Sequence, residues 1–312
     1  MQQRFVGDSG LRASALGLGT MTWGSGIDED VAADLLRIFC DAGGNLVDTS
    51  AGYTNGAAEA ILGQHLGHTV ARQDLVLVSK AGLEYRNGHR GVDTSRSAML
   101  SSLDASLVRL GTPYLDLWLV DAWDPHVPLQ ETLSAMDLAL NTGRVRYVGF
   151  SNFTGWQSAK AAVQAPFTAV AHQIEYSLLQ RQAEAEVIPA AYDAGLGLLA
   201  WAPLGRGVLS GKYRGQIPTD SRAANEEWAD YVEPYLATRP SRIVEALWTA
   251  SQGLDSSPAQ LALAWLLAQE NVSSAIVGPR SAQQLQQLLG AEEVRLPEQI
   301  SQVLSEVSER AN

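Results

Sequence analysis

NLVDTSAGYTNGAAEAILGQHLGHTVARQDLVLVSK, residues 45–80, is the stretch from which the fold is read. A short apolar run closes on a carboxylate, Asp48, AAEAILGQHL follows as a helix, and LVLVS is a strand that leads onto Lys80. LVLVS is apolar without alternation, as expected of a parallel strand covered on both faces, and strand–helix–strand is the unit of such a sheet. The stretch also carries chemistry. Tyr53 lies five residues after Asp48, and Lys80 twenty-seven residues after Tyr53. A free tyrosine, with a pKa near ~10, is a poor acid at pH 7. A lysine beside it stabilises the phenolate, and an aspartate beside the lysine keeps the ammonium charged and in place. Spacing alone equally allows a surface ion pair and a half-buried tyrosine.

Outward from this unit the same alternation recurs. Toward the N-terminus, residues 4–12 read as a hairpin with GDSG as its turn, ALGLGT as a strand, and Asp28 as the cap of a helix that stops at Gly43-Gly44. Toward the C-terminus come a helix from Ser95 to Leu110, the strand YLDLWLV, a helix from Leu129 to Leu140, and the strand RVRYVGFS. TGWQSAKAAV reads as a helix, FTAVAHQ as a strand, AEAEVIPAAYDA as a helix and LGLLAWA as a strand. From Gly205 to about Pro240 the pattern lapses into a Gly- and Pro-punctuated segment. It resumes with helices at Ser241–Thr249 and Pro258–Glu270, the strand SSAIV, and helices at Ser281–Leu289 and Pro297–Glu309. Eight buried-type strands separated by helices predict a (β/α)8 barrel with an N-terminal β-hairpin and two extra C-terminal helices, residues 1–312 forming one domain. The rival is a doubly wound open sheet. GLGTMTWG at Gly17 superficially suits it, but the third glycine is misplaced for that fold's fingerprint.

The composition is 46% hydrophobic with a net charge of −12, which argues for a large core and against a nucleic-acid groove or an anionic membrane as partner. It leaves room for a phosphate-bearing cofactor held by a local cationic cluster. The single cysteine, Cys40, sits within a helical pattern and reads as a core thiol. No secretory signal and no apolar run of membrane-spanning length is visible, so a cytoplasmic protein is expected.

Active sites of such barrels are built at the C-terminal strand ends. Those ends carry Asp48, Lys80, Asp121, Ser151-Asn152, Gln173 and Trp201, with Gly278-Pro279-Arg280 after the eighth. Turn formation explains Gly, Asn and Asp there; it does not explain lysine, glutamine and tryptophan. With GLGTMTWG, NLVDTSAGY, LVSK, YLDLWLVDAWDP, GRVRYVGFSN, HQIEYSLLQR, APLGRGVLSGKY and LALAWLLAQENVSSAIVGPRS in this order, the chain resembles the aldo-keto reductases, NADPH-dependent (βα)8-barrel oxidoreductases, from end to end. The resemblance implies reduction of a small carbonyl compound with Tyr53 as general acid and Asp48 and Lys80 lowering its pKa. It implies that Ser151, Asn152 and Gln173 hold the nicotinamide carboxamide, that Trp201 stacks on the ring, and that the loop with Pro203, Leu204, Gly205 and Gly207 wraps the pyrophosphate. Gln284 reads equally as a contact to the adenosine end and as a solvent-exposed residue. Arg280, with Ser281 beside it and Gly278 in the same cofactor-binding turn, would grip the 2′-phosphate of NADP(H). That assignment also has a physical basis, because a guanidinium fork beside a helix N-terminus suits a phosphate. The family's usual asparagine four residues after Gln284 is Leu288 here.

A further departure concerns the chemistry. The family closes its fourth strand with a histidine that hydrogen-bonds the substrate oxygen; this chain has Asp121 there. An ionised carboxylate would repel an oxygen that gains negative charge, and losing one such donor typically costs on the order of 10²–10³ in rate. Asp121 could be protonated and donate, could be ionised and pair with Lys80 or a cationic substrate, or could mark an NADP(H)-binding redox-sensing or regulatory subunit. The potassium-channel β subunits, which share the barrel and lack that histidine, keep the last reading open. His126 in DPHVP reads as a turn residue, His65 and His68 as surface residues at a helix end, His172 as packed, and His89 as solvated; no metal site is expected. Trp23, Tyr85 and Trp123 follow strands and are expected to wall a substrate pocket, with Arg214–Tyr235, including Trp228 and Tyr231, as a lid.

Overall fold

The structure, a computed structural model, describes residues 1–86, 89–219, 221–225 and 229–309, without the side chains of residues 84–86, 89, 90, 238 and 239. β1 (Gln3–Phe5) and β2 (Arg12–Ser14) form an antiparallel hairpin. There follow β3 (Leu16–Gly19), α1 (Glu29–Asp41), β4 (Leu46–Asp48), α2 (Ala57–His65) and β5 (Val76–Ala81). A second hairpin, β6 (Leu83–Arg86) and β7 (His89–Val92), precedes α3 (Arg96–Leu110), β8 (Leu115–Val120), α4 (Leu129–Asn141), β9 (Val145–Ser151) and α5 (Gly155–Gln164). Then come β10 (Ala171–Glu175), α6 (Val187–Asp193), β11 (Gly197–Trp201), α7 (Ala229–Val232), α8 (Thr238–Gly253) and α9 (Pro258–Leu267). β12 (Val272–Val277), α10 (Ala282–Leu289) and α11 (Glu298–Ser308) end the chain's described part.

β3, β4, β5, β8, β9, β10, β11 and β12 close a parallel eight-stranded barrel, with β12 paired to β3. Three helices of the C-terminal third stand outside the strand–helix alternation, one more than expected: the four-residue α7 and then α8, both ahead of α9, and α11, which follows α10. Local signals explain the boundaries. Asp28 caps α1 by accepting from the Val31 N–H at 2.9 Å, and Gly111 closes α3 in the left-handed region at φ 62°. Ser257 and Gln260 form a reciprocal capping box at the start of α9, with Pro258 in its first turn.

Two expected elements differ. The strand expected from Phe167 begins at Ala171, where pairing with Gly149 of β9 starts. The helix expected from Ala183 is a 3-10 turn, Gln182–Ala185, and then α6, broken at Glu186 (φ −142°, ψ −47°). At that break Glu186 accepts from the Trp156 N–H at 2.9 Å, and a Cβ on Gly155 would lie 2.6 Å from the Glu186 carbonyl oxygen. The start of α5 thus lies directly against the break.

The strand pleat sorts the core into two layers. Leu46, Val76, Val78, Leu117, Leu119, Ala171, Leu199 and Ile276 pack inside the barrel with Val6, Leu11 and Ala13 of the hairpin segment, which plugs the lower end. Residues of opposite parity, such as Val47, Leu77, Trp118, Val120 and Leu198, pack outward with the helices.

Candidate active site

The same parity places the polar groups. Two residues past inward-facing Leu46, Val78, Leu119, Ala171 and Leu199 stand Asp48, Lys80, Asp121, Gln173 and Trp201, so these side chains converge on the upper mouth. Lys80, only 2% exposed, donates from Nζ to both Asp48 carboxylate oxygens at 2.8 and 2.9 Å and to the Thr49 carbonyl at 2.9 Å. Tyr53 enters on a 3-10 turn, Tyr53–Gly56, whose Thr54 and Asn55 have positive φ. Its hydroxyl lies 3.2 Å from Lys80 Nζ and 3.5 Å from Asp48 Oδ2. Gln173 Nε2 donates to Asp48 Oδ1 at 2.7 Å, giving that buried carboxylate a third partner after Lys80 and Tyr53.

Burial pushes the Tyr53 phenol well above its ordinary value; Lys80 pulls it down, while Asp48 and Asp121 push it further up. Of the two residues expected to lower it, Lys80 acts in that direction and Asp48 in the opposite one, since its negative charge disfavours a phenolate; desolvation outweighs the cation and sets the net direction upward. Burial works against the Lys80 ammonium, yet Asp48, Tyr53 and Asp121 reverse that and the net direction is upward. Tyr53 is therefore protonated and Lys80 charged at neutral pH.

Asp121 is buried beside this group. Its carbonyl accepts from Asn152 Nδ2 at 2.9 Å, its Oδ1 lies 3.4 Å from the same nitrogen, and Ser50 Oγ approaches its Oδ2 at 3.4 Å. Asn152, at φ 56°, accepts from Trp201 Nε1 at 3.0 Å, so Trp201 and Asp121 are tied through one amide. A cavity of about 1300 Å³ opens above these residues. It is lined by Asp48, Tyr53, Lys80, Asp121, Ser151, Asn152, Gln173, Trp201, Pro203, Leu204 and Gly207, and further out by Gly278, Arg280, Gln284 and Leu288. Ser151 Oγ is buried there with no hydrogen-bond partner.

Several expected residues lie elsewhere. Gly205 (φ 52°) packs toward Leu179, and Ser281 caps α10 by accepting from the Gln284 N–H at 3.2 Å. Gln284 Oε1 accepts from the Arg280 N–H at 2.9 Å, which anchors the Arg280 backbone at the helix start. Trp23 is fully buried in the layer between barrel and helices rather than on the cavity wall. Trp123 packs edge-on against Phe153 and Trp156, also outside the lining. Following a strand puts a residue near the rim without setting its direction. The side chain of Tyr85 and all of Trp228 lie outside the described residues. His65 is buried, contrary to the surface reading: its Nδ1 faces Thr69 Oγ1 at 3.1 Å. His126 sits in a turn held by its N–H to Asp124 Oδ1, and Cys40 is a half-buried thiol that burial pushes up to about 11. Among the described residues no group of three or more His, Cys, Asp or Glu could hold a metal, and no helix is long and apolar enough to cross a membrane.

Sequence reading missed three cations of the irregular segment, because it has no periodicity to show direction. Lys212 and Arg222 line the cavity, and a Cβ on Gly278 would lie 3.9 Å from Arg222 Nη2. Burial lowers the Arg222 guanidinium from its ordinary value; Tyr231 opposes this, and neighbouring Arg280 lowers it further. Arg206 grips Glu175 of β10 through two hydrogen bonds of 3.1 and 3.0 Å. It also donates to the Tyr231 carbonyl at 2.5 Å and lies over the Tyr231 ring at 3.7 Å. Tyr231 of the expected lid does line the cavity, latched by this arginine.

A sequence model described as the Aldo/keto reductase family matches residues 15–309. The chain is 32% identical to "Uncharacterized oxidoreductase YrpG" of Bacillus subtilis (strain 168), an alignment covering 98% of this chain and 96% of that protein. It is 36% identical to "Probable voltage-gated potassium channel subunit beta" of Oryza sativa subsp. japonica, covering 91% of this chain and 89% of that one.

Proposed function

This chain belongs to the aldo/keto reductase family, and we propose that it reduces small aldehydes or ketones by hydride transfer from NADPH, with Tyr53 as proton donor and residues 1–312 acting as one barrel domain. The family is one of oxidoreductases that act on small carbonyl compounds, generally with nicotinamide cofactors. The observation that carries the reading is the phenol of Tyr53, 3.2 Å from the Lys80 ammonium, on the floor of a cavity walled by Trp201.

The residues present suit a dinucleotide phosphate. The unpartnered, buried Ser151 hydroxyl at the cavity wall supports a polar guest that supplies its missing hydrogen bond. Asn152 and Gln173 stand beside it to take a carboxamide, and Trp201 offers a ring for stacking. Lys212, Arg222 and Arg280 supply positive charge further out, which is the donor chemistry that phosphates need. Arg280 at the head of α10 is the residue on which preference for NADPH over NADH rests. Nicotinamide supplies the hydride when bound. Tyr53 gives its proton to the oxygen as negative charge develops there, and Lys80, held by Asp48, stabilises the phenolate left behind. Asp121 faces the same mouth and would add a second donor to that oxygen when protonated, a state in which it no longer raises the Tyr53 phenol.

Reduction of a panel of small aldehydes and ketones by NADPH, followed across pH for the wild-type protein and Asp121→Asn, tests this reading. Turnover is expected, and Asn, which keeps a donor but cannot ionise, is expected to abolish the fall in turnover that ionisation of Asp121 causes as pH rises. An unchanged pH profile would remove Asp121 from the chemistry. Tight NADPH binding with no consumption by any carbonyl would replace the enzyme reading by that of a cofactor-binding subunit.

A further inference from the structure

Glu59 is a fully buried carboxylate outside the barrel wall. Its Oε1 accepts from Ser79 Oγ at 2.6 Å, and its Oε2 accepts from Arg109 Nε at 2.7 Å, with Arg109 Nη2 at 2.6 Å. These partners come from three elements: Glu59 from α2, Ser79 from β5 and Arg109 from the last turn of α3. Ser79 immediately precedes Lys80, so the pleat turns its side chain outward while Lys80 points in. Glu59 lies in the first turn of α2, and the 3-10 turn carrying Tyr53 leads directly into that helix. At the junction Gly56 has φ 87°, and a Cβ there would lie 2.9 Å from Cδ and Nε of Arg109. The arginine stem is seated beneath the hinge between the tyrosine's turn and its helix. One carboxylate thus grips both chain segments that bear the proton-donor pair.

We propose that Glu59, with Ser79 and Arg109, is a positioning residue that fixes the distance between Tyr53 and Lys80 from outside the barrel. Stability gives no reason for the cluster, since apolar residues of similar volume in place of a buried ion pair are often neutral or stabilising. Geometry does give one, because a misplacement of about 1 Å at a reacting group costs on the order of 10²-fold in rate. Glu59→Gln keeps the volume but replaces one acceptor oxygen by a donating amide nitrogen, so that with the remaining oxygen turned to Arg109 the Ser79 hydroxyl loses its acceptor and must turn to accept instead. Ser79→Ala removes one grip and leaves the ion pair intact.

The inference rests on the proposed reductase reading only for its effect on turnover, so the test includes a readout independent of it. The full chain labelled with [13Cζ]tyrosine gives a resonance for Tyr53, identified by its loss in Tyr53→Phe. Glu59→Gln and Ser79→Ala are both expected to shift that resonance. They are expected to lower kcat about tenfold and severalfold respectively, with KM and NADPH affinity unchanged, and the double variant is expected to fall short of the product of the two effects. A lowered thermal midpoint with the Tyr53 resonance and kcat unmoved would make the cluster merely structural and overturn the proposal. If Glu59→Gln does not fold, Ser79→Ala decides by the same criteria. Full turnover in Tyr53→Phe would instead overturn the assignment of the proton donor, leaving the resonance shift to judge the positioning role alone.

Discussion

The two ends of the barrel interior are made by the same strands and have opposite chemistry. Below, Leu46, Val76, Val78, Leu117, Leu119 and Ala171 close an apolar layer against Val6 and Leu11. Above, one pleat step further on, Asp48, Lys80, Asp121 and Gln173 are as deeply buried yet charged or polar. The lower end resembles any folded core, where burying apolar area stabilises by about 25 cal/mol per Å². At the upper end each charge removed from water costs free energy unless paired, and Lys80 is held by two carboxylate contacts and a carbonyl. Stability is made at one end and spent on reactivity at the other.

Replacing the upper pair outright should separate the two ends most sharply. Asp48→Leu with Lys80→Met is expected to leave the urea midpoint near or above the wild-type value, while carbonyl reduction falls by about 10²–10⁴. The lower end should behave in reverse: Leu119→Ala is expected to lose about 2–5 kcal/mol of stability with kcat nearly unchanged. A double variant that unfolds, or a Leu119→Ala that loses activity first, would mean that the two ends are not separable.

A smaller effect sharpens the contrast between inward and outward faces of one strand. His172, outward-facing on β10 beside inward Gln173, is fully buried with Nδ1 3.3 Å from Ser158 Oγ. Burial lowers its pKa from 6.5 to about 4, with a hydrogen bond to the Phe153 backbone opposing. Because the folded value is depressed, the unfolded chain binds more protons, and stability falls as pH drops from 6.5 toward 4, by about 3 kcal/mol over the window. His172→Gln is expected to remove that acid slope from unfolding curves without altering NADPH affinity; an unchanged slope would assign it to other groups.

What could be read from the chain follows the same division. Position at the ends of the expected strands, together with the expected closure of the barrel, made Asp48, Lys80, Asp121, Gln173 and Trp201 legible as groups sharing one mouth. It could not show how deep the mouth lies, so the direction of the Tyr53 shift was misjudged. Lys212, Arg222 and the Arg206–Glu175 latch sit where no period exists, and Trp23 and Trp123 show that nearness to a strand end does not give orientation. The break at Glu186 depends on the approach of Gly155 from α5, a tertiary contact that no local pattern contains.

The central claim is that the phenol of Tyr53 delivers the proton at this mouth. Stopped-flow oxidation of enzyme-bound NADPH by a small aldehyde, comparing wild-type protein with Tyr53→Phe at pH 7, tests it most directly. Equal cofactor affinity and a rate lower by about 10²–10⁴ in the variant are expected; equal rates in the two proteins would show that another group delivers the proton.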